Sequence, residues 1–479
     1  MNKNKFDNKV QLLKYKVLKE VATLAWDDIL LENILEIPKI ISPGVVPTMR
    51  CCVHKERAIL TERVKLAIGG NRFNKKVIQV IDIACEDCPT GGYEVSPSCR
   101  GCLAHICEEN CPVGAITFGS DQKAHIDKSK CIECGKCANT CPYGAINNYK
   151  RPCESKCKVN AISMGDHKEA KIDYDKCISC GACVYQCPFG AITDRSYILD
   201  AIDIIKGSKN GTEYKVYAMI APAIAGQFRY ATMGQILNAI KMLGFSEIAE
   251  VAYGADIVAN EESKELAERG FLTSSCCPAF VNYIEKFFPD LKEHISHNLS
   301  PAGTLAKVIK AQDPTAKTIF IGPCTAKKRE FQREEYQGLV DSVLTFEELQ
   351  ALIDSKNIDA ESLEELTIDQ ASYFGRTFAR SGGVAQAVEQ ALKENGIDFS
   401  LKPVVCDGIE QCKIALIRKN KNLLDANFIE GMACSGGCIG GAGCLTHSGK
   451  NKAEFEKYSN NAKPKSIKES VSNAKDTKN

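Results

Sequence analysis

The sequence predicts two kinds of fold in one chain: a cysteine-loaded α+β region of short strands, then an α/β region of small mixed or parallel sheets flanked by helices. Three observations carry this. Sixteen of the 26 cysteines lie between Cys85 and Cys187, and none occurs between Cys187 and Cys276. Within that stretch a short unit recurs as CPVGAITF (111–118), CPYGAINN (141–148), CKVNAISM (157–164) and CPFGAITD (187–194). After the linker KGSKNG (206–211), apolar strand-like runs alternate with helical spacing, as an α/β fold requires.

Taken in order, residues 1–84 read as a mainly helical segment. Apolar positions from Ala58 to Gly69 have helical spacing and end on Gly69-Gly70, a C-cap signal. Residues 85–205 form the cysteine-rich domain. Each repeated unit ends in Ala-Ile before a charged or turn stretch, as short strands alternating with metal-holding loops would. Repeats this few and irregular mean duplicated supersecondary units, not a solenoid. Residues 206–449 form the α/β domain. It has strands at Tyr214–Ile220 and Thr318–Ile321 and a helix over Ala231–Leu243. A capping box, Thr345-Phe-Glu-Glu348, opens a helix running to about Ser355. Pro278 suits a first helical turn after TSSCCP, with Phe280, Ile284 and Phe287 on one helical face. Residues 450–479 are lysine-rich and polar, expected as a solvated arm.

Composition removes several function classes. With 61 basic and 60 acidic side chains the net charge is +1, which supports neither nucleic-acid binding nor an anionic membrane surface. The longest apolar stretch, Val216–Gly226, is too short to span a bilayer, and the charged N-terminus lacks a signal-peptide core. A chain this long needs no disulfide staples. The expectation is a soluble, cytoplasmic protein in a reducing compartment, whose thiolates hold metal.

The cysteine spacing says which metal. Cys131-x2-Cys134-x2-Cys137-x3-Cys141-Pro142 and Cys177-x2-Cys180-x2-Cys183-x3-Cys187-Pro188 place three thiolates around one cubane, and the fourth, before proline, reaches the neighbouring cluster, as in two-cluster ferredoxins. Zinc favours separated CxxC pairs without the trailing Cys-Pro. Cys99-x2-Cys102-x4-Cys107-x3-Cys111-Pro112 is a variant of the motif. Two sets follow: Cys99, Cys102, Cys107 and Cys141; and Cys131, Cys134, Cys137 and Cys111. A third is Cys177, Cys180, Cys183 and Cys157. A fourth, Cys85, Cys88, Cys153 and Cys187, uses every remaining cysteine of the region, but its halves lie more than 60 residues apart. The count is therefore three to four accessory [4Fe–4S] clusters. His54 and His105 are read as satisfied or surface histidines, and Cys51–Cys52 as a structural or partner pair. A row of clusters transports electrons and makes no bonds, so the catalyst belongs in the C-terminal half.

Three loops there carry thiols: Thr273-Ser-Ser-Cys276-Cys277-Pro278, Pro323-Cys324-Thr-Ala-Lys327 and Met432-Ala-Cys434-Ser-Gly-Gly-Cys438. Thiolates from distant loops, with glycines that let backbone approach a bulky group, suggest a further iron–sulfur centre with a substrate-facing side. A phosphate site at Gly440–Gly443 is weak, because no Lys-Ser/Thr follows.

In this order, behind a ferredoxin-like domain, these loops resemble the three signature motifs of [FeFe]-hydrogenases over about residues 95–447, in the clostridial branch often called group B. The resemblance implies a two-lobed α/β catalytic domain and a ferredoxin hydrogenase of anaerobic metabolism interconverting protons and H2. It implies an H-cluster, a [4Fe–4S] cubane on Cys277, Cys324, Cys434 and Cys438 joined to a two-iron subsite with CO, cyanide and azadithiolate, installed by maturation proteins. Met432 would pack on that subsite and Lys327 would donate to a cyanide. Cys276 would exchange protons with the bridging amine. Glu262 and Glu265 would relay them, with Ser300 between and Glu330 near the exit. The electron donor would be a ferredoxin-type carrier. Gly322 stands where the family usually has methionine, Ala223 replaces a hydroxyl residue, and Ala279-Phe280 replaces Gly-Trp. Cys406, Cys412 and Cys444 have no place in the catalytic scheme and are read as buried structural thiols. A non-catalytic iron–sulfur assembly protein of the Narf type is opposed by intact Cys276 and Lys327. A hydrogen sensor is expected to carry an added signalling module, for which the sequence shows no room.

Overall fold

The computed structural model describes residues 5–71, 73–85, 88–89 and 91–476. No described helix is long and apolar enough to cross a membrane.

The four repeated units become strands, and their pairing nests one unit inside another. β1 (Ile78–Val80), β2 (Tyr93–Val95), β3 (Ile116–Phe118), β4 (Ala124–Ile126), β5 (Ile146–Asn148), β6 (Ile162–Met164), β7 (Ala170–Ile172) and β8 (Ile192–Asp194) form four antiparallel pairs. β3 pairs with β4 and β2 with β5, closing an inner unit over 93–148. β6 pairs with β7 and β1 with β8, closing an outer unit with the same pattern around it. The inner unit thus lies between Cys88 and Cys153, so the distance in sequence between those two is the length of an insertion.

In each repeat the backbone N–H four residues on donates to the cysteine sulfur. The pairs are Ala115 to Cys111 (3.2 Å), Ala145 to Cys141 (3.4 Å), Ala161 to Cys157 (3.2 Å) and Ala191 to Cys187 (3.3 Å). The four alanines are buried. That explains why "Ala-Ile" recurs: a larger side chain would not fit beneath the loop.

The C-terminal half has two parallel sheets. One has the order β10 (Glu247–Glu250), β9 (Val216–Ile220), β12 (Lys317–Ile321), β13 (Ser342–Leu344). The other runs β11 (Leu272–Thr273), β15 (Phe428–Met432), β14 (Pro403–Asp407). Fully buried strands with helices on them read as apolar runs, which is why β9 and β12 were legible. The Thr345–Glu348 capping box forms as expected and opens the helix Phe346–Ser355.

One expectation about the ends is corrected, the solvated arm over 450–479, while residues 1–84 are mainly helical as expected. Within them the helix Lys9–Trp26 packs along Phe346–Ser355, and Val17, Leu18 and Val21 share one core with Val216, Ile220 and Ile319. The described part of 450–479 is not a free arm. It forms the helices Gly449–Asn460 and Ile467–Asp476, which bury Phe455 and Ile467, and Ser470 Oγ donates to Asp256 at 2.7 Å. A few apolar anchors among lysines suffice to dock a helix; residues 477–479 lie outside the described part.

A buried ion cluster joins the regions. Lys14 Nζ lies 2.5 Å from both Asp194 and Glu347, and Lys328 Nζ lies 2.8 Å from Asp194 and 2.9 Å from Glu348. Burial alone would raise the Asp194 carboxyl, but the two lysines outweigh it and hold it well below the usual range.

Candidate active site

Every thiol of the three loops sits just past a parallel strand. Cys276 and Cys277 follow β11, Cys324 follows β12, and Cys434 and Cys438 follow β15; Ala221 and Pro222 follow β9. Carboxyl ends of parallel strands are where α/β folds bind ligands, because the chain there turns into loops. Here those ends face one cavity of about 90 Å³. It is lined by Cys276, Cys277, Cys324, Lys327, Met432, Cys434 and Cys438, together with Phe320, Pro323 and Ala379.

Burial opposes thiolate formation at these four positions, and local donors offset part of it. Cys277 and Cys324 are the N-cap residues of the helices Pro278–Phe287 and Thr325–Glu330. Burial raises Cys277, while backbone N–H groups of Ala433, Phe280 and Ala279, and the Lys327 charge, lower it. Burial, with Cys277 adding to it, pushes Cys324 up to about 11. Burial, with Cys324 and Cys277 adding to it, pushes Cys438 up to about 12 and Cys434 well up. Four buried thiols that oppose one another's ionisation are compensated by binding cationic metal. Among the described residues no three His, Cys, Asp or Glu side chains converge as a single-ion site requires. They stand around a space instead, which suits a polynuclear cluster and not one zinc.

Glycine is required at two positions. Gly437 has φ +77°, and a Cβ there would meet the Ala379 carbonyl at 2.6 Å. A Cβ on Gly322 would meet the Phe320 ring at 2.5 Å, so the ring fills the room a methionine would need. Phe280, in place of tryptophan, is fully buried.

The proton-handling candidates fall into two groups. Glu262 is fully buried and neither carboxylate oxygen has a hydrogen bond of ordinary geometry. Burial pushes it up to about 7, against a weaker opposing pull from Ser296 and the Ser275 N–H. Burial likewise pushes Cys276 well up, with Cys277, Glu262 and Glu430 adding to it. Glu265 accepts from Ser296 Oγ (3.2 Å), Asn298 Nδ2 (3.1 Å) and Arg269 Nη1 (3.2 Å), and lies 3.0 Å from His297, whose side chain is 74% exposed. Ser296 therefore stands between the two glutamates.

Ser300, expected there, belongs to the other group. Its Oγ donates to Glu330 at 3.2 Å, Lys327 Nζ donates to the same carboxylate at 2.7 Å, and the Tyr336 hydroxyl donates at 3.3 Å. Glu330 is buried and so is not at an exit. Both serines precede helical or turn segments nearby in sequence, and only the return of 296 beside β11 separates them.

Neighbouring thiols raise one another in the four combinations the spacing suggested, after the larger effect of burial. Cys141 and Cys102 raise Cys107; Cys131 and Cys111 raise Cys137; Cys157 raises Cys177; Cys187 and Cys88 raise Cys153. Cys180 lines the cavity and feels Cys277. The loop holding it is pinned by Thr325 Oγ1 donating to the Ser179 carbonyl at 2.9 Å. Cys406, Cys412 and Cys444, outside the ligand scheme, are buried and structural, as expected. Cys444 donates to the Ile439 carbonyl at 3.3 Å, holding the Cys438 loop, and Cys406 and Cys412 share a hydrogen bond behind β15. Cys51 and Cys52 are exposed, with Cys52 capping the helix Val53–Ala67.

The nested cysteine units, with a second group of thiols around one cavity, define an iron–sulfur class of protein. Comparison gives the family. Residues 214–442 match the C-terminal domain of the iron-only hydrogenase large subunit, 98–145 a 4Fe–4S dicluster domain and 170–193 a 4Fe–4S binding domain. The periplasmic [Fe] hydrogenase large subunit of Nitratidesulfovibrio vulgaris is 31% identical over 50% of this chain and 71% of its own length. Iron hydrogenase 1 of Clostridium pasteurianum is 29% identical over 66% of this chain and 64% of its own length. The cytosolic Fe–S cluster assembly factor NAR1 of Kluyveromyces lactis is 40% identical over 19% of this chain and 20% of its own length. A solved [FeFe]-hydrogenase covers 58% of this chain and 93% of its own at a TM-score of 0.49 and 19% identity. The chain belongs to the iron-only hydrogenase large-subunit family.

Proposed function

We propose that the protein is an [FeFe]-hydrogenase catalysing 2H⁺ + 2e⁻ ⇌ H2. The observation that carries this is one cavity faced by four thiols in ligand positions, two further thiols, Cys276 and Cys180, and a lysine. Cys277, Cys324, Cys434 and Cys438 would hold the cubane of an H-cluster, which when bound supplies electron storage and the making and breaking of the H–H bond. Lys327, anchored by Glu330, has N–H donors left for an anionic ligand in the cavity. Met432 and Phe320 exclude water from the same space.

Cys276 faces the cavity without being one of the four, so its thiol can hand a proton between cavity and protein. Glu262, near 7, suits the next station, because a relay works best when its pKa lies near the working pH. Ser296, Glu265 and exposed His297 complete a route to solvent. Electrons from a ferredoxin-type carrier would pass the Cys99 set, then the Cys131, Cys85 and Cys177 sets, reaching the cavity through Cys180. The outer and inner units are ferredoxin-like in this reading, and the two parallel sheets are the two lobes. Maturation proteins would supply the two-iron subsite. A reducing compartment such as the cytoplasm would keep this many thiols available as metal ligands.

The test is anaerobic co-expression with maturation proteins. Infrared bands of metal-bound carbonyl and cyanide, with H2 evolution from reduced viologen, are expected; the absence of both overturns the reading. Cys276→Ala should keep the cubane and lose most turnover, and full turnover would remove the proton role of Cys276. The likeness to NAR1 favours one second reading, a non-catalytic part in iron–sulfur assembly, which predicts the accessory clusters without those infrared bands.

A further inference from the structure

Among the described residues, two arginines of the accessory region are buried without a carboxylate partner. Arg63, on the helix Val53–Ala67, is 3% exposed; its Nη2 donates to the Gly190 carbonyl at 2.7 Å, and its Nε has no partner. Arg151 is 1% exposed; its Nε donates to the Pro89 carbonyl at 3.0 Å and its Nη2 to the Lys168 carbonyl at 2.6 Å. Glu347 and Glu154, the acids that interact with them, lie beyond ion-pair distance. A guanidinium taken from water without a counter-ion is costly, and carbonyl oxygens supply only part of what it loses.

Both arginines converge on one cysteine set. Gly190 lies three residues past Cys187, Pro89 is next to Cys88, and Arg151 is two residues before Cys153. Arg151 also ties together the two chain segments that the inserted unit separates. Cys85, Cys153 and Cys187 are each at most 5% exposed and share a core with Ile78, Ile162 and Ile192. The other sets lack such charges. At the Cys177 set, Lys286 and Arg329 donate to the Cys177 carbonyl, but both are partly exposed and are screened by solvent. In the inner unit Arg100 is exposed. Among the described residues, the acids near the fourth set are Asp82, which is exposed, and Glu154, which is partly exposed; Glu86 and Asp87, between Cys85 and Cys88, lie outside the described residues.

We propose that Arg63 and Arg151 are the built-in counter-charges of a [4Fe–4S] cluster on Cys85, Cys88, Cys153 and Cys187, and that they make it the accessory cluster most easily reduced. A four-thiolate cluster is an anion, and one-electron reduction adds a further negative charge without breaking a bond. A buried cation favours the more negative form and so raises the reduction potential. Electrons entering the chain would rest at this station before moving to the Cys177 set. The N-terminal segment then has a purpose, since it delivers Arg63. The inference rests on the iron–sulfur reading of the accessory region.

The test is a potentiometric titration of the full chain, prepared without the two-iron subsite and followed by electron paramagnetic resonance, with dithionite as reductant. The first accessory signal to appear should be missing in Cys85→Ala/Cys88→Ala. Arg63→Gln should reduce the reduced-to-oxidised ratio of that signal about tenfold at fixed potential, about 59 mV for one electron. Its iron content should stay that of the parent, and Arg63→Lys should hold the parent potential. An unmoved midpoint in Arg63→Gln, or an equal shift in Arg63→Lys, overturns the tuning role and leaves the cluster standing. If Arg63→Gln loses four irons, retention by Arg63→Lys supports the need for charge and loss by both overturns it. A full set of signals in Cys85→Ala/Cys88→Ala overturns the cluster itself.

Discussion

The inner and outer cysteine units share a repeat, a strand pattern and the same N–H to sulfur bonds, yet their surroundings are opposite. The inner unit packs a small core of its own around Ile116, Ile146 and Cys137, and presents Leu103 (99% exposed), Ile132 and Tyr143 to solvent. The outer unit shares its core with Ile59 and Leu66 of the N-terminal helix and is closed by buried arginines. The same motif therefore faces solvent in one place and is enclosed in the other, which under the proposed function makes the first a terminal and the second a relay. Local sequence builds the thiolate cradle, and the neighbours set its charge and access.

The strongest way to break this comparison is to remove a ligand from each unit. Cys187→Ser should lower the iron of the matured protein from about 22 to about 18 atoms per chain and stop electron flow from a protein donor, because every route to Cys180 crosses the outer unit. Cys99→Ser should lose the same iron but leave small reduced viologens able to drive H2 evolution. Equal loss of viologen activity would mean that the inner unit is not a terminal.

The last strand residues of the two units give the next contrast. Asp194 ends β8 inside the lysine cluster, and Asn148 holds the same place, exposed, at the end of β5. Asp194→Asn leaves Lys14 and Lys328 short of a counter-charge and should cost about 3–5 kcal/mol in denaturant unfolding. Asn148→Asp should change stability by less than about 0.5 kcal/mol. Because the Asp194 carboxyl is lowered in the folded state, its contribution is present above the unfolded carboxylate pKa. It is lost as pH falls through the lower folded value.

The cavity shows the opposite sign. Glu262 is raised from 4.5 to about 7, so its burial costs nothing in acid and progressively more as pH rises from 4.5 past 7. Glu262→Gln should therefore stabilise the protein at pH 8 relative to pH 5, by up to ~3 kcal/mol. No change in the pH dependence of unfolding would mean that water reaches the carboxylate. The smallest effect belongs to the inner unit's surface. Leu103→Ala should move stability by less than about 0.5 kcal/mol and raise KM for a protein donor only.

The repeats, the capping box and the strand-ending thiol loops were legible because each is a local signal: a period, a cap, or a run of buried apolar residues. The docked tail was not, since Phe455 and Ile467 are sparse among lysines; Phe455 needs the Pro222–Ile224 turn and the Tyr373–Thr377 helix, and Ile467 the Val251–Arg269 and Gly383–Asn395 helices, to become core. Nor was Ser296. It and Ser300 are equally plausible in sequence, and only the chain's return beside Thr273 places one against Glu265 and the other against Glu330.

By itself the sequence determined which side chains could bind metal and the short strands that carry them, because thiolate spacing and hydrogen bonds four residues apart act along the chain. Tertiary structure alone decided that the inner unit is an insertion, that Arg63 lies buried against a backbone carbonyl, and that Asp194 lies between two buried lysines. Those depend on the energy of burying charge and apolar surface against partners hundreds of residues away, which no local pattern records.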